Sequence, residues 1–233
     1  MGQFFTIQNL VLLIAGLVNL VMSFLVIKRG AKSKINLYFA LLTFFNLTWA
    51  IGLIMSNSVS NIDMVSFYDR STNLSGIGII MSLFYFTLHF PYQREKISDI
   101  KTKIIWLLAI LLSVSIYTKW FVVDTVWIDK FPYYVAYYYK PVFIIYTAYF
   151  FVLAVWSIYL LVKKYKQTEG LIKKQLKWLI IAIIIGLVFG AYFNIIVSYF
   201  GNFNPGWLGP VFTLFMNIVV FQAIRSPKEK ING

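Results

Sequence analysis

Seven apolar runs, separated by short polar or basic segments, make up most of the chain. Each run approaches or exceeds the roughly 20 residues that an α-helix needs to cross about 30 Å of hydrocarbon. We therefore predict an all-α polytopic membrane protein with seven transmembrane helices. The helices are expected at about residues 4–27, 35–55, 71–90, 104–123, 141–162, 175–199 and 207–224. Residues 1–225 would form one transmembrane domain, and residues 226–233 a cytoplasmic tail.

The segment between the fourth and fifth runs has a different pattern. The fourth run is the weakest of the seven, because Lys119 lies inside it and must extend its ammonium group outward. After Lys119, Val122, Trp127 and Ile128 alternate loosely with polar residues, which predicts a short β-hairpin between helices 4 and 5. The tryptophans and tyrosines of residues 120–139 are also typical of an aromatic belt at the membrane surface. Whether the hairpin covers a pocket as a lid stays open.

Composition agrees with a membrane protein and narrows the chemistry. Hydrophobic residues make up 60% of the chain and charged residues 12%, and the mean hydropathy is +0.77. The absence of cysteine excludes disulfides, cysteine-ligated zinc, iron–sulfur clusters and thiol catalysis. His89 is the only histidine, and no carboxylate lies near it in the sequence to complete a metal site. We expect no cofactor and no metal.

The distribution of charge predicts the orientation. Of the 21 lysines and arginines, 17 fall in the loops after helices 1, 3 and 5 or in the tail, whereas the eight acidic residues divide evenly between the two sides. Basic residues near membrane helices stay in the cytoplasm, so the amino terminus is expected outside and the carboxyl terminus inside. The net charge of +13 then lies beside anionic lipid headgroups, and we expect membrane lipids, not nucleic acid, as its partners.

No aspartate, glutamate, lysine or arginine is expected at mid-depth in the membrane. This argues against ion-coupled transporters and proton pumps, which use such groups. The predicted interior instead holds amides and hydroxyls: Asn19, Asn46, Asn73, Asn194, Asn217, Thr48 and Thr213. Each of them could simply bond a neighbouring helix. The functional alternative is a ligand pocket open to the outside, with Trp49, Asn73, Tyr192, Asn194 and Thr213 as its candidate residues.

Small or polar residues recur at every fourth position along the sixth run. We call them the glycine stripe: Ala182, Gly186, Gly190, Asn194 and Ser198. Side chains four residues apart lie on one face of an α-helix, and in lipid such small-residue faces are where helices pack closely. We predict that this face packs against another helix and couples input to output. The candidate packing and coupling residues are Ala182, Gly186, Gly190, Ser198, Gly209 and Asn217.

Several short motifs occur in a fixed order along the chain. Gln175-Leu176 opens the sixth run, Leu208-Gly209-Pro210 opens the seventh, and Ala223-Ile224-Arg225 closes it. Together with Asn46 and Trp49 in the second run, this ordered set resembles the amino-terminal seven-helix sensor region of bacterial and archaeal membrane histidine kinases. The resemblance covers essentially the whole chain.

The resemblance implies a non-catalytic signal-input module in a prokaryotic plasma membrane. Such a module passes a small ligand or another membrane cue to a cytoplasmic kinase domain, in cis or in trans, and a homodimer is compatible with it. The residues after Arg225 contain no dimerisation helix or ATP-binding domain, so we expect no kinase activity in this chain. The alternative function is a facilitative carrier or channel for a small neutral solute. A membrane enzyme ranks last, because no nucleophile–base pair or metal cluster is evident.

Overall fold

Helices account for almost all of the residues that the computed structural model describes, which are 6–30, 32–91, 97–128, 133–197 and 204–225. The α-helices are α1 Ile7–Gly30, α2 Lys34–Ser58, α3 Ile62–His89, α4 Asp99–Ile116, α5 Lys140–Lys166, α6 Gly170–Ala191 and α7 Leu208–Arg225. A π-helical turn, Tyr192–Ile196, continues α6, and a 3₁₀ turn, Asn204–Trp207, precedes α7. Strands β1 Val122–Ile128 and β2 Tyr133–Tyr138 complete the described elements. The predicted fold class, seven helices with a hairpin between the fourth and fifth, is confirmed.

Local sequence explains several of the helix ends. The side chain of Asn61 accepts hydrogen bonds from the backbone N–H groups of Asp63 and Met64, and so caps the start of α3. Ser98 caps α4 in the same way, and Pro141 occupies the first turn of α5, where its missing N–H costs no hydrogen bond. Between α5 and α6 the chain turns through Gly170 with φ of 62°, a conformation that side chains disfavour.

Helix α4 differs from the predicted fourth span. Within the described residues, six helices are long and apolar enough to cross a membrane, and α4 is not among them. Its first turns carry Asp99, Lys101 and Lys103, and its apolar part is only about 20 Å long. The helix ends at Ile116, whereas the apolar run was expected to continue through Val123. Lys119 therefore lies in an exposed turn outside any helix.

Helix α3 lies at the centre of the bundle. Its ten successive residues from Ile79 to Leu88 are all buried, which is the pattern of a helix enclosed on every side. It packs against α2, α4 and α5, while α7 packs against α1, α2 and α6. Helix α7 thus joins α6 to α1 and α2.

The hairpin marks one end of the bundle, which we call the hairpin end; the end formed by residues 163–174 is the basic end. β1 and β2 pair antiparallel, with a bulge at Val123. Arg70 of α3 fixes the hairpin: its Nη1 donates to the carbonyls of Ile116 and Thr118, each at 2.7 Å, and its Nη2 to that of Val122 at 3.0 Å. Arg70 thus satisfies carbonyl groups at the end of α4 and the start of β1 together.

Candidate functional site

The glycine stripe faces α7. A Cβ atom built on Gly186 would lie 2.8 Å from the Cβ of Met216, and one on Gly190 would lie 3.4 Å from Cγ2 of Thr213. Ala182, one turn earlier, is also buried. The backbones of α6 and α7 therefore approach closely because residues of this face lack bulk.

Three of the five predicted pocket residues meet around Gly209, at the first turn of α7. A Cβ on Gly209 would overlap Nδ2 of Asn194 and lie 2.7 Å from Cη2 of Trp49. Thr213, one turn further, donates from Oγ1 to the carbonyl oxygens of Gly209 and Pro210 at 3.3 and 3.0 Å. We call this meeting of α2, α7 and the π-helical turn the Gly209 junction. It is held together because position 209 has no side chain.

The π-helical turn positions Asn194 in this junction. Asn194 Nδ2 donates to the carbonyl of Gly190 at 3.2 Å, and its Oδ1 lies 3.5 Å from where a Cβ on Gly206 would be. The stripe was expected to keep its four-residue spacing as far as Ser198. The wider turn changes that spacing after Ala191, and Ser198 itself lies outside the described residues. One-turn π-helices inside α-helices occur frequently at functional sites.

The other two predicted pocket residues lie elsewhere. Asn73 faces the hairpin and α5: its Nδ2 donates to the carbonyl of Asp69 at 2.9 Å and to the Tyr138 hydroxyl at 3.5 Å, and its own carbonyl accepts from Tyr146. Burial, and secondarily the charge of Asp69, raise the pKa of the Tyr138 phenol far above its usual range. Tyr192 is 47% exposed on the outside of the bundle. Neither side chain is among the nearest neighbours of position 209.

Asn217, a candidate packing residue, contacts α1. Its Nδ2 donates to Oδ1 of Asn19 on α1 at 2.8 Å, and Nδ2 of Asn19 donates to the carbonyl of Ala15. Both amides are buried. Asn217 therefore joins α7 to α1, whereas Met216 and Thr213 contact the glycine stripe of α6.

At the basic end, a buried lysine makes hydrogen bonds that the sequence did not predict. Nζ of Lys164 donates to the carbonyls of Thr87, Leu88 and Phe90 at 2.8, 2.9 and 2.6 Å, and the side chain is only 6% exposed. These are the last carbonyls of α3, where the helix dipole favours a positive charge. In the sequence Lys164 was one basic residue among several beside a membrane helix, and nothing in that pattern marks it as buried.

The arrangement offers neutral hydrogen-bonding groups rather than groups for acid–base or metal chemistry. No cluster of three or more histidine, aspartate or glutamate side chains that could hold a metal occurs in the part of the chain that the structure describes. At the Gly209 junction the groups are an indole, an amide and a hydroxyl. All three groups are uncharged.

Comparison with known proteins agrees with the resemblance seen in the sequence. The model of the family described as the N-terminal 7TM region of histidine kinase matches residues 11–226. The matched range runs from within α1 to the end of α7, and so includes the Gly209 junction and the whole contact between α6 and α7. No curated protein matches the chain.

Proposed function

Because the chain belongs to the family of N-terminal seven-transmembrane regions of histidine kinases and is a multi-pass membrane protein, we propose that it is a non-catalytic sensory module. Its place is a prokaryotic plasma membrane, with the hairpin end outside and the basic end in the cytoplasm. The concentration of lysine and arginine in the predicted cytoplasmic loops supports this orientation.

The observation that carries this proposal is the close contact between α6 and α7. It begins at the Gly209 junction, in the half of the bundle nearer the hairpin, and continues through Gly190 and Gly186 toward the basic end. Helix α7 then ends at Arg225, where the signal would pass to a kinase domain in cis or in trans. A change at the junction can therefore move the helix that leads to the output.

The junction is the proposed level of the input. A ligand there would contact Trp49, Asn194 and Thr213. A ligand shifts a two-state equilibrium only by its different affinity for the two states. A movement of the first turn of α7 would change the contacts that Trp49 and Asn194 make at position 209, and a ligand there would then bind the two states with different affinity.

The test replaces Gly186 with leucine in the chain joined after Arg225 to a reporter histidine kinase. The added side chain would meet Met216 at once and push α7 away from α6. We expect basal autophosphorylation of the reporter to change about fivefold or more, the usual lower range of allosteric coupling. The matched control is Val188→Leu, which adds bulk to an exposed position on the same helix and should leave the output unchanged.

Two results would contradict the sensory role. One is a Gly186→Leu protein that inserts normally and gives the same reporter activity as the control. The other is solute uptake into proteoliposomes above that of empty vesicles, which would favour the facilitative carrier.

A further inference from the structure

Two buried amide oxygens lie near the middle of their helices where α1, α2 and α7 meet. Asn46 on α2 and Asn217 on α7 are both fully buried. The Oδ1 atoms of the two residues accept no hydrogen bond from any group within the described ranges. A buried acceptor without a donor is costly, and lipid supplies no donor.

Contacts on either side of these amides show how α2 and α7 face each other. Nearer the basic end, the ring of Phe39 on α2 stacks with that of Phe221 on α7, with 6.3 Å between the centroids. Nearer the hairpin, Trp49 of α2 lies against Gly209 of α7. Rising residue numbers on α2 thus pair with falling numbers on α7, so the two helices are antiparallel.

Helical spacing from Phe39 and Phe221 puts both asparagines on these facing surfaces. Asn46 follows Phe39 by about two helical turns, and Asn217 precedes Phe221 by about one. Side chains in an α-helix lean toward its N-terminus, and Asn46 does so visibly, since its Nδ2 donates to the carbonyl of Leu42 at 2.9 Å. In antiparallel helices, this lean brings the two amides toward the same level.

Hydrogen bonds fix which amide atom is the oxygen. Nδ2 of Asn46 is held by the Leu42 carbonyl, and Nδ2 of Asn217 by Oδ1 of Asn19. Nδ2 of Asn19 is held in turn by the Ala15 carbonyl. If the Oδ1 and Nδ2 atoms of any of these three amides were exchanged, its Oδ1 would face the oxygen that now accepts from its Nδ2. The two acceptors without a donor are therefore both carbonyl oxygens, and both require a donor.

We propose that Asn46 Oδ1 and Asn217 Oδ1 bind one water molecule, which donates one hydrogen to each and links α2 to α7. Water supplies two donors, which is the number that the two oxygens require, and buried waters bind where they find two to four polar partners. A sodium ion is a poorer fit, because a cation would need more oxygen ligands and, at this depth, a carboxylate to balance its charge.

The water site would give α7 two different kinds of contact. Toward α6 the contact is apolar and depends on glycine; toward α1 and α2 it is a chain of amides completed by solvent. A bridging water can change partners when a helix shifts, at less cost than breaking a direct bond between side chains. The proposal concerns the fold itself and does not depend on the sensory role.

The first test uses the unmodified protein. A crystallographic or electron-microscopic structure that resolves water should show a peak about 2.7–3.2 Å from both oxygens. Thermal unfolding in detergent should have the same midpoint in sodium chloride and in choline chloride of equal ionic strength. A structure that resolves other buried waters but shows none here would overturn the proposal. So would a lower midpoint in choline chloride, which would indicate a sodium site.

A double-mutant cycle provides the second test. We expect Asn46→Leu and Asn217→Leu each to lower the unfolding midpoint by about 2–4 °C or more. The double variant should lose clearly less than the sum, because the same water is lost in each. The control pair combines Asn217→Leu with Ser157→Ala, a buried serine on α5 that bonds only its own helix, and should be additive. Additive losses at Asn46 and Asn217 would overturn the proposal; the measurements on the unmodified protein decide it if a variant does not fold.

Discussion

A basic side chain satisfies main-chain carbonyls at each end of the bundle, about 30 Å apart along α3, but the two contacts join different parts of the fold. Lys164 is buried, and its three contacts with α3 are all to the last carbonyls of that helix. Arg70 is only partly buried, and its two Nη groups donate to carbonyls at the end of α4 and the start of β1. The first contact joins two core helices, and the second attaches a peripheral helix and a hairpin to the core.

The chemistry of each cation suits its role. An ammonium group is compact, and its three donors can converge on a single helix terminus. A guanidinium group is a wide planar fork that can reach carbonyls of separate elements. Loss of the lysine should therefore destabilise the whole bundle, whereas loss of the arginine should release the hairpin and leave the core folded.

The largest effect is expected for Lys164→Met. The methionine keeps most of the apolar volume but leaves three carbonyls of α3 without their donor, so we expect a loss of about 3 kcal/mol in the free energy of unfolding. Equilibrium unfolding in detergent measures it. The control is Lys166→Met, an exposed position on the same turn, which should change stability by less than about 0.5 kcal/mol. Equal effects of the two variants would contradict the buried contact.

A smaller and local effect is expected for Arg70→Met. The carbonyls that it releases lie near the membrane surface, where water can replace the lost donors, so we expect a loss of about 1–2 kcal/mol. Hydrogen exchange should quicken in β1 and the end of α4 but not in α3. Lys119→Met, an exposed position in the same turn, serves as the control. Faster exchange throughout the core would show that the two ends are not independent.

The smallest effect is expected for Tyr138→Phe. The change removes one weak hydrogen bond, at 3.5 Å, from Nδ2 of Asn73 to the hydroxyl, and should cost about 0.5 kcal/mol. Because burial raises the pKa of the phenol, the group stays neutral and the cost should not vary across the neutral pH range. Exchange in β2 measures the effect. An equal effect of Tyr138→Phe in an Asn73→Ala background would show that the bond does not hold the hairpin.

Six of the seven helices could be predicted from the sequence because lipid imposes their length and apolar character. A span needs a minimum apolar length, and every backbone group within it must be bonded inside the helix. The end of α4 was not predictable in this way. Ile116 is followed by residues that are still partly apolar, and the helix stops there in a geometry that Arg70 stabilises from another helix. Hydropathy contains no information on such a contact.

The candidate site was predictable only where glycine carried the information. A glycine in a membrane helix indicates that another group approaches closely, whatever that group is. Side chains of α7 lie against Gly186 and Gly190, and side chains from other elements lie against Gly209 of α7. The amides could not be paired from sequence, since the position of an asparagine on a helix does not specify which neighbouring helix it contacts. Asn73 bonds the hairpin, away from Trp49, Asn194 and Thr213, and Asn217 bonds α1.

The enclosure of α3 has a consequence for how the protein is made. Of the six described helices long enough to span, α3 is the least apolar, and it begins with charged residues such as Asp63, Asp69 and Arg70. On its own it would leave the translocon for lipid less readily than its neighbours. Only residues 59–61 separate it from α2, so the two segments can partition into the bilayer together as a helical hairpin. Biogenesis of the centre of the bundle would thus depend on a segment that is synthesised just before it.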